Sequence, residues 1–554
     1  MPQPCLRLLS GRLYLPLQFR ALLRPGLQRL TEPRQRRDFL FQKLASGLRE
    51  MGEITLNERE RRLRELLVDV AASIDAEKND GSVTLRWAGG WVRDKLLGIE
   101  SHDIDTAISS MTGFSFYTAM RAFCDKAENI TKHQLQPSDI GNLHKIPANP
   151  DKSKHLETVT TRLFGLDIDF VNLRKETYSE DSRNPQMEFG TAEEDASRRD
   201  ATINALFYNL HTQQVEDFTG GLLDLESKLI RTPMAPLQTF TDDPLRVLRL
   251  IRFAARLGFQ INPEVAAVMN DAKVLDALRL KISRERIGVE VTKMLAGTVT
   301  DRLLTSLAFA ICPSPELTLS CHPGSDPANA LRLIDDLGLY SAIFTDPSIQ
   351  ESPSPSTMAW KKGYGCLKYV TEEPMFAGLR DTFLHLRYDL FLSWVAAAIV
   401  PWESVITEDS AKRAKSQLVP VARIAREGLR ADNKTCDVLA AAHQNRPEIM
   451  SLKAAVLERA PMMNERDLFG MAIRRWEARD CHWKVQVVFA MLHEAMAASL
   501  VSNPPGTHYP PSGHITRVAD KICRIPGFSE GVAGICRPLK ELGCPGGSVA
   551  TASG

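Results

Sequence analysis

The spacing of apolar residues changes period along this chain, and the changes mark its elements. From Val83 the run VTLRWA is apolar with β-branched members, which predicts a strand that Gly89-Gly90 ends abruptly. VRDKLLG then follows a helical period until Gly98 stops it. His102-Asp103-Ile104-Asp105 opens a second strand; side chains alternate across a strand, so Asp103 and Asp105 share one face while Ile104 points to the core. Period two returns in HLETVTTRLFGLDIDFVNLRKETY, a predicted hairpin that turns at Phe164-Gly165 and sets Asp167 and Asp169 on one face. Before it, the polar segment from His133 to His155 contains Pro137, Pro147 and Pro150 and predicts a long loop.

The next stretches turn helical. SRRDATINALFYNL predicts a helix capped by Asp200, and DFTGGLLDL a Gly-Gly turn between strand and helix. In TDDPLRVLRLIRFAARLGF, Pro244 suits a first turn and Gly258 closes the helix. LNERERRLRELLVDVAASI, after Met51, predicts the first globular helix. Beyond about residue 300 only helical patterns recur, as in ANALRLIDDLGLY and HWKVQVVFAMLHEAMAASL. The apolar run from Leu390 to Trp402 is too short to span a bilayer and predicts a buried helix.

Composition changes this picture little. A chain of 554 residues, 44% hydrophobic and 25% charged, is globular and long enough for several domains. Its net charge of +1 means that any basic surface must be local. Ten cysteines stand singly, without zinc-ligand or disulfide spacing, and fit a reducing compartment. The amino terminus is different. Its first acidic residue is Glu32, and Arg7, Arg12, Arg20, Arg24 and Arg29 lie among leucines before it, the composition of a mitochondrial transit peptide. A start at Met51 would give an untargeted form.

The candidate chemistry sits between Val83 and Ile108. Two carboxylates on one strand face, Asp103 and Asp105, suit a hard cation such as Mg2+ that also takes phosphate oxygens. The Gly-Gly turn offers bare backbone N–H groups at a helix start, with Arg93 one turn inside. Alone, each half reads more often as a plain turn or a solvated strand edge; together they point to nucleotidyl transfer. Asp169 is a candidate third carboxylate or base, with a solvated face as the alternative, and Arg198-Arg199 a candidate phosphate clamp. Arg246, Arg249, Arg252 and Arg256 form one helical stripe without an acidic partner at helical spacing, a basic ridge. Asp243 and Arg246, three residues apart, could accept from an exocyclic amine and donate to ring acceptors. Cytosine and adenine both offer that pattern, whereas uracil and guanine carry a carbonyl where the amine would be.

In order, GGWVRDKLLG with HDID, SRRDATINAL, DFTGGLLDL, DDPLRVLRLIRFAARLGF and KISRERIGVE resemble the motifs of the class II tRNA nucleotidyltransferases, the CCA-adding enzymes of the polymerase-beta-like superfamily. The resemblance covers roughly residues 80 to 295. It implies an α+β head with a mixed, antiparallel-rich sheet over residues 51–230, an all-α neck over 231–300 and an all-α, tRNA-binding body and tail over 301–540, between a leader of 50 residues and a disordered end at 541–554. It implies Mg2+ at Asp103 and Asp105, nucleotide contacts from Gly90, Arg93, Arg199, Arg249 and Arg252, ribose placement by Asp200 and Asn204, and an amino-acid template in Asp243 and Arg246 for CTP and then ATP. Ser283, Glu285 and Arg286 would brace the template helix, and the segment from His133 to His155 falls where the family has a flexible loop. Asp242 departs from the Glu common in the family, next to the template residue. The implied partners are tRNA, CTP and ATP, with no membrane, for a chain acting as a monomer. Bacterial poly(A) polymerases share much of the pattern, and a silent RNA-binding protein on the same fold is the other alternative. After PPSGHITRV nothing resembles the family.

Overall fold

The computed structural model describes residues 52–77, 82–101, 103–141, 144–146, 158–179, 182–296, 326–347, 355–405, 418–458 and 466–497. The predicted leader, the carboxyl-terminal end and His102 lie outside them. The chain forms two compact units: one runs to Asp243 and takes in Gln260–Val265, and the other holds Pro244–Phe259 and everything from Ala266. The division therefore falls inside the stretch expected as a neck.

The first unit is built on a seven-stranded sheet. Its strands are β1 (Leu85–Ala88), β2 (Asp103–Ile108), β3 (His144–Ile146), β4 (Thr158–Leu163), β5 (Leu166–Asn172), β8 (Phe207–Asn209) and β9 (Gln214–Glu216). They lie in the order β3-β4-β5-β2-β1-β8-β9. β6 (Arg174–Ser179) and β7 (Ser182–Phe189) pair as a separate hairpin. Within the large sheet β2 and β5 are parallel, and the other pairs are antiparallel. A parallel pair needs a crossover. The chain between β2 and β5 supplies one that includes a helix, Gly113–Cys124.

The two sheet faces differ in what they bury. On one side Leu85, Trp87, Ile104, Ile108, Ile168 and Phe170 join Leu63, Leu66, Leu67 and Val70 of α1 (Glu58–Glu77) in the main core. On the other, Ala88 and Ala107 belong to a smaller cluster with Leu173, Ala192, Ala196, Ala205 and Phe207. Asp103 and Asp105 stand on this thinly covered face because period two puts them in phase with Ala107. The predicted hairpin turn is present: Phe164 and Gly165 both have positive φ, at 50° and 80°, as a two-residue turn between twisted strands requires.

Two expectations need correction. No helix follows Asp200; one 3-10 turn, Thr202–Asn204, leads directly into β8. The bonds of Phe207, Tyr208 and Asn209 to β1 and β9 outweigh local helical propensity. The segment beginning at His133 is not one loop. His133 ends a helix (Ala127–His133), Pro137–Asp139 forms a 3-10 turn, and β3 pairs with β4; residues 147–157 lie outside the described part.

The second unit is helical. α8 (Leu245–Leu257) runs from Pro244 to Gly258, whose left-handed φ of 67° forms the expected stop. The run expected to be a buried helix is α12 (Arg387–Ile399), followed by a 3-10 turn, and Leu392–Ile399 are buried throughout. Among the described residues no single helix is long and apolar enough to cross a membrane. The basic-aromatic stretches around Trp360 and Trp476 are core anchors rather than open surface. Trp360 donates to the Ala397 carbonyl (2.8 Å) and Trp476 to Glu448 (2.9 Å), and both rings are buried. The four described cysteines, Cys124, Cys366, Cys436 and Cys481, are free and buried.

Candidate active site

Sheet register assembles the first part of the site. Asp105 lies opposite Ala88 on antiparallel β1 and opposite Asp169 on parallel β5, and Asp103 lies opposite Asp167. Three strands thus bring the HDID pair, the end of β1 and the LDID pair to one face, as the alternation predicts for Asp169. Asp103 and Asp105 are exposed, and Asp167 and Asp169 half-buried. Thr160 on β4 donates to Asp169 Oδ1 at 2.6 Å, which fixes one of its oxygens.

The Asp105 carboxyl is held above its ordinary range. Desolvation by the protein packed around it comes first, and Asp169, Asp103 and Asp195 add like-charge repulsion; Arg199 works in the opposite direction. Among the described residues no group of three or more His, Cys, Asp and Glu is gathered tightly enough to hold an ion alone. The donor set is two open carboxylates with a third on the next strand, all hard oxygen. That fits a hard divalent cation completing its shell with water and substrate phosphates, and such a cation would relieve the repulsion.

The Gly-Gly turn gives the second part. Gly89 has φ 72° and ψ −128°, a conformation open only to glycine. Space makes the same demand: a Cβ on Gly89 would stand 2.8 Å from Arg199 Nη1 and 3.7 Å from Asp105 Oδ2. The bare backbone of the turn therefore lies under the Arg199 guanidinium and beside Asp105. Gly90 then starts α2 (Gly90–Leu96).

A buried hydrogen-bond network supports both parts, with Asn204 at its centre. The Arg93 guanidinium donates to Asn204 Oδ1 (2.5 Å) and to Asp94 Oδ1 (2.8 Å), and all three residues are buried. Asn204 Nδ2 donates to Asp200 Oδ1 (3.1 Å), which also accepts the Ala201 backbone N–H (2.8 Å). The Asn204 carbonyl accepts from Arg199 Nη1 at 3.0 Å. Arg93, expected at the phosphates, is in this structure only 3% exposed and engaged from within. Arg199, half-buried, is the guanidinium standing over the turn.

Asp195 was not legible as a site residue. It lies in α5 (Ala192–Ser197), is 2% exposed, and accepts from Arg198 Nε (2.9 Å) and Arg199 Nε (3.1 Å). Burial alone would raise its pKa, but Arg199 and Arg198 outweigh burial and hold it below the usual carboxylate range. Helical spacing was the available signal, since Asp195 precedes the two arginines by three and four residues.

The two residues expected as a template fall in different units along the chain. Asp243 is the last residue of the first, just past a helix (Pro236–Asp242), and Arg246 lies in the first turn of α8 in the second. The arginine stripe is less open than expected. Arg246 is 6% exposed, and Arg252 pairs at 2.8 Å with buried Glu290 of α9 (Arg284–Ala296). Arg249 and Arg252 both lie over the Phe253 ring, at 5.6 and 4.5 Å. The neutralising acid is 38 residues away in sequence, beyond any local spacing rule. Of the expected braces, Glu285 turns to Arg430 (3.3 Å), whereas Glu290 is the acid that holds α8.

The chain is similar to several known proteins. Residues 85–231 match the family model described as the poly A polymerase head domain. A nucleotidyltransferase of Purpureocillium lilacinum, lcsQ, is 52% identical over 448 residues, covering 80% of this chain and 72% of its own. The mitochondrial CCA tRNA nucleotidyltransferase of Saccharomyces cerevisiae is 53% identical over 248 residues, but the match spans only 44% of either chain. A solved CCA-adding enzyme in an apo form shares the fold at TM-score 0.52 and 18% identity, over 88% of this chain and 96% of that one. On the identity and extent of the first of these relatives, the chain belongs to the class II nucleotidyltransferases, the family of the CCA-adding enzymes.

Proposed function

We propose that the protein extends the 3′ end of tRNA by C, C and A, taking CTP and ATP as substrates and releasing pyrophosphate at each addition. The observation that carries this reading is the meeting of Asp103, Asp105, the Gly89-Gly90 turn and Arg199 on one sheet face. Family membership and the CCA-adding activity in the yeast relative's name support it.

In each addition the terminal ribose 3′-oxygen forms a bond to the α-phosphorus, and the bond from that phosphorus to the bridging oxygen of pyrophosphate breaks. Asp103 and Asp105 would hold a divalent cation, which we take to be Mg2+. Bound there, it supplies positive charge for the triphosphate and lowers the proton affinity of the 3′-hydroxyl. Asp169, with Oδ1 engaged by Thr160, has Oδ2 to accept the proton that the hydroxyl gives up. Arg199 and the backbone N–H groups at the start of α2 neutralise and orient the triphosphate, while the Gly89 N–H stays on the Leu206 carbonyl at 3.1 Å. Asp200 and Asn204 are braced to set the ribose. Arg249 would add a nucleotide contact, and Arg252 a phosphate contact only by sharing its guanidinium with Glu290. We assign base choice to Asp243 and Arg246, because that pair matches cytosine and adenine and leaves buried groups unpaired against uracil or guanine.

We also propose that residues 1–50 direct the protein to mitochondria. An arginine-rich, acid-poor leader and the mitochondrial designation of the yeast relative support this. Initiation at Met51 would give a second, untargeted form.

The discriminating assay offers each NTP separately to tRNAs lacking A, CA or CCA. The expected result is CTP incorporation on the last two substrates and a single A on the first. Unlimited extension with ATP alone would establish the poly(A) polymerase alternative, and no incorporation the silent one. Asp103→Ala or Asp105→Ala should lower incorporation at least about 1,000-fold, as loss of an electrostatic anchor for a reacting group does. Arg246→Ala should raise misincorporation of UTP and GTP more than it raises the KM for CTP; a pure loss of affinity with unchanged selectivity refutes the template assignment.

Asp105→Asn separates activity from stability. The folded protein holds the Asp105 carboxyl above its ordinary range, so the unfolded chain loses that proton at lower pH. This group therefore lowers stability as pH rises through its folded value and costs nothing well below its unfolded one. In metal-free protein the Asn variant should be inactive yet melt higher than wild type at pH 7, with the gain fading as pH falls. Fractionation of cells with amino-terminal sequencing checks the leader: a product starting at Met51 and found outside mitochondria is expected.

A further inference from the structure

Against the Arg199 guanidinium lies a buried carboxylate that the reaction as described does not use. Asp195 is 2% exposed and receives Arg199 through Nε (3.1 Å) and Nη2 (3.0 Å). It also receives Arg198 through Nε (2.9 Å) and the Arg174 backbone N–H (3.2 Å) at the start of the β6–β7 hairpin. Arg198 Nε in turn donates to the Arg174 carbonyl at 3.2 Å. One carboxylate thus ties two consecutive arginines to the root of a hairpin.

The consequence for Arg199 is a single orientation. Nε and Nη2 go to Asp195, Nη1 goes to the Asn204 carbonyl, and the guanidinium lies 5.0 Å from the centre of the Phe207 ring. Held on three sides, the group is fixed with Nη1 at 2.8 Å from the place of a Cβ on Gly89. An arginine side chain loses about 2 kcal/mol of rotamer freedom when it is ordered. A fixed one has lost that freedom before the nucleotide arrives.

We propose that Asp195 is a positioning residue for nucleotide binding, acting through Arg199 rather than by touching the substrate. This rests on the proposed nucleotidyl transfer and names the group that orders its phosphate contact. It predicts a particular pattern. Loss of Asp195 weakens CTP and ATP alike, because phosphates are common to both, and leaves base choice intact. The turnover at saturating nucleotide changes less than KM, because Asp103 and Asp105 are untouched.

The test is a double-mutant cycle on KM in the full chain, with wild type, Asp195→Asn, Arg199→Ala and the double variant. Each single variant should raise KM for CTP and for ATP by about tenfold or more, the scale of one charge-assisted contact. The double variant should be no worse than Arg199→Ala alone, since the carboxylate then has nothing to position. Asp195→Glu covers the risk that Asn at a buried pair unfolds the head. It keeps the charge but displaces it by one methylene, and should raise KM at an unchanged melting temperature. Additive losses, or an unchanged KM in both Asp195 variants while wild type incorporates CTP and ATP, overturn the proposal. Wild type that incorporates neither nucleotide overturns the underlying function instead, so the two failures are distinguishable.

Discussion

The crowding of negative charge at Asp105 is the constraint around which the head is arranged. Setting the Asp105 carboxylate beside Asp103 and Asp169 costs the folded state, since desolvation first and like charges second disfavour its ionised form. The fold offsets that cost from the side. Arg199 brings positive charge next to Asp105, and Asp195 keeps that charge from relaxing into solvent. Asn204 then links this arm to a second one, in which Arg93 and Asp94 are buried together. Stability is given up locally so that a cation and a triphosphate meet charges already in position. This is the trade expected of sites that bind strongly charged substrates.

Glycine at position 89 follows from the same constraint. A helix start beside two carboxylates offers N–H groups to phosphates only if no side chain covers them. The φ of 72° and the 2.8 Å clearance to Arg199 are two independent demands that only glycine meets. The face chemistry is consistent with this. Ala88 and Ala107 beside the acids are buried in a small cluster with Leu173, Ala192, Ala196 and Phe207, while Trp87, Ile104 and Phe170 load the opposite face. One strand period thus separates the catalytic layer from the structural layer.

How far the sequence could be read depended on the distance over which each feature is determined. The turn at Phe164-Gly165, the stop at Gly258 and the shared face of Asp103 and Asp105 follow from local periodicity and turn chemistry, and all are present. Asp200 misled because a capping residue before apolar positions reads locally as a helix start. The pairing of β8 to strands on either side decided otherwise. The basic ridge was misjudged for a related reason: Glu290 comes from another helix, and Phe253 absorbs two of the guanidinium faces. Trp360 and Trp476 are buried although basic residues stand beside them in sequence. Their indole N–H groups reach the buried Ala397 carbonyl and the half-exposed Glu448 carboxylate.

These corrections alter how specificity and affinity are divided. If all four arginines of α8 were open, the helix would attract any nucleotide through charge alone, and base choice would compete with that background. With Arg252 committed to Glu290 and Arg249 and Arg252 drawn over Phe253, the unspecific attraction of the helix is reduced. Arg246, at 6% exposure, sits where water competes least for its hydrogen bonds, and a mismatched base edge costs most in such a setting. On the proposed assignment, phosphate affinity falls mainly to Arg199 and the Gly-Gly turn in the head, which would treat every nucleoside triphosphate alike. A binding element indifferent to the base and a selecting element sparing in charge can be tuned separately. An enzyme that must accept two of four bases, with nucleotides of identical triphosphate charge, needs that separation.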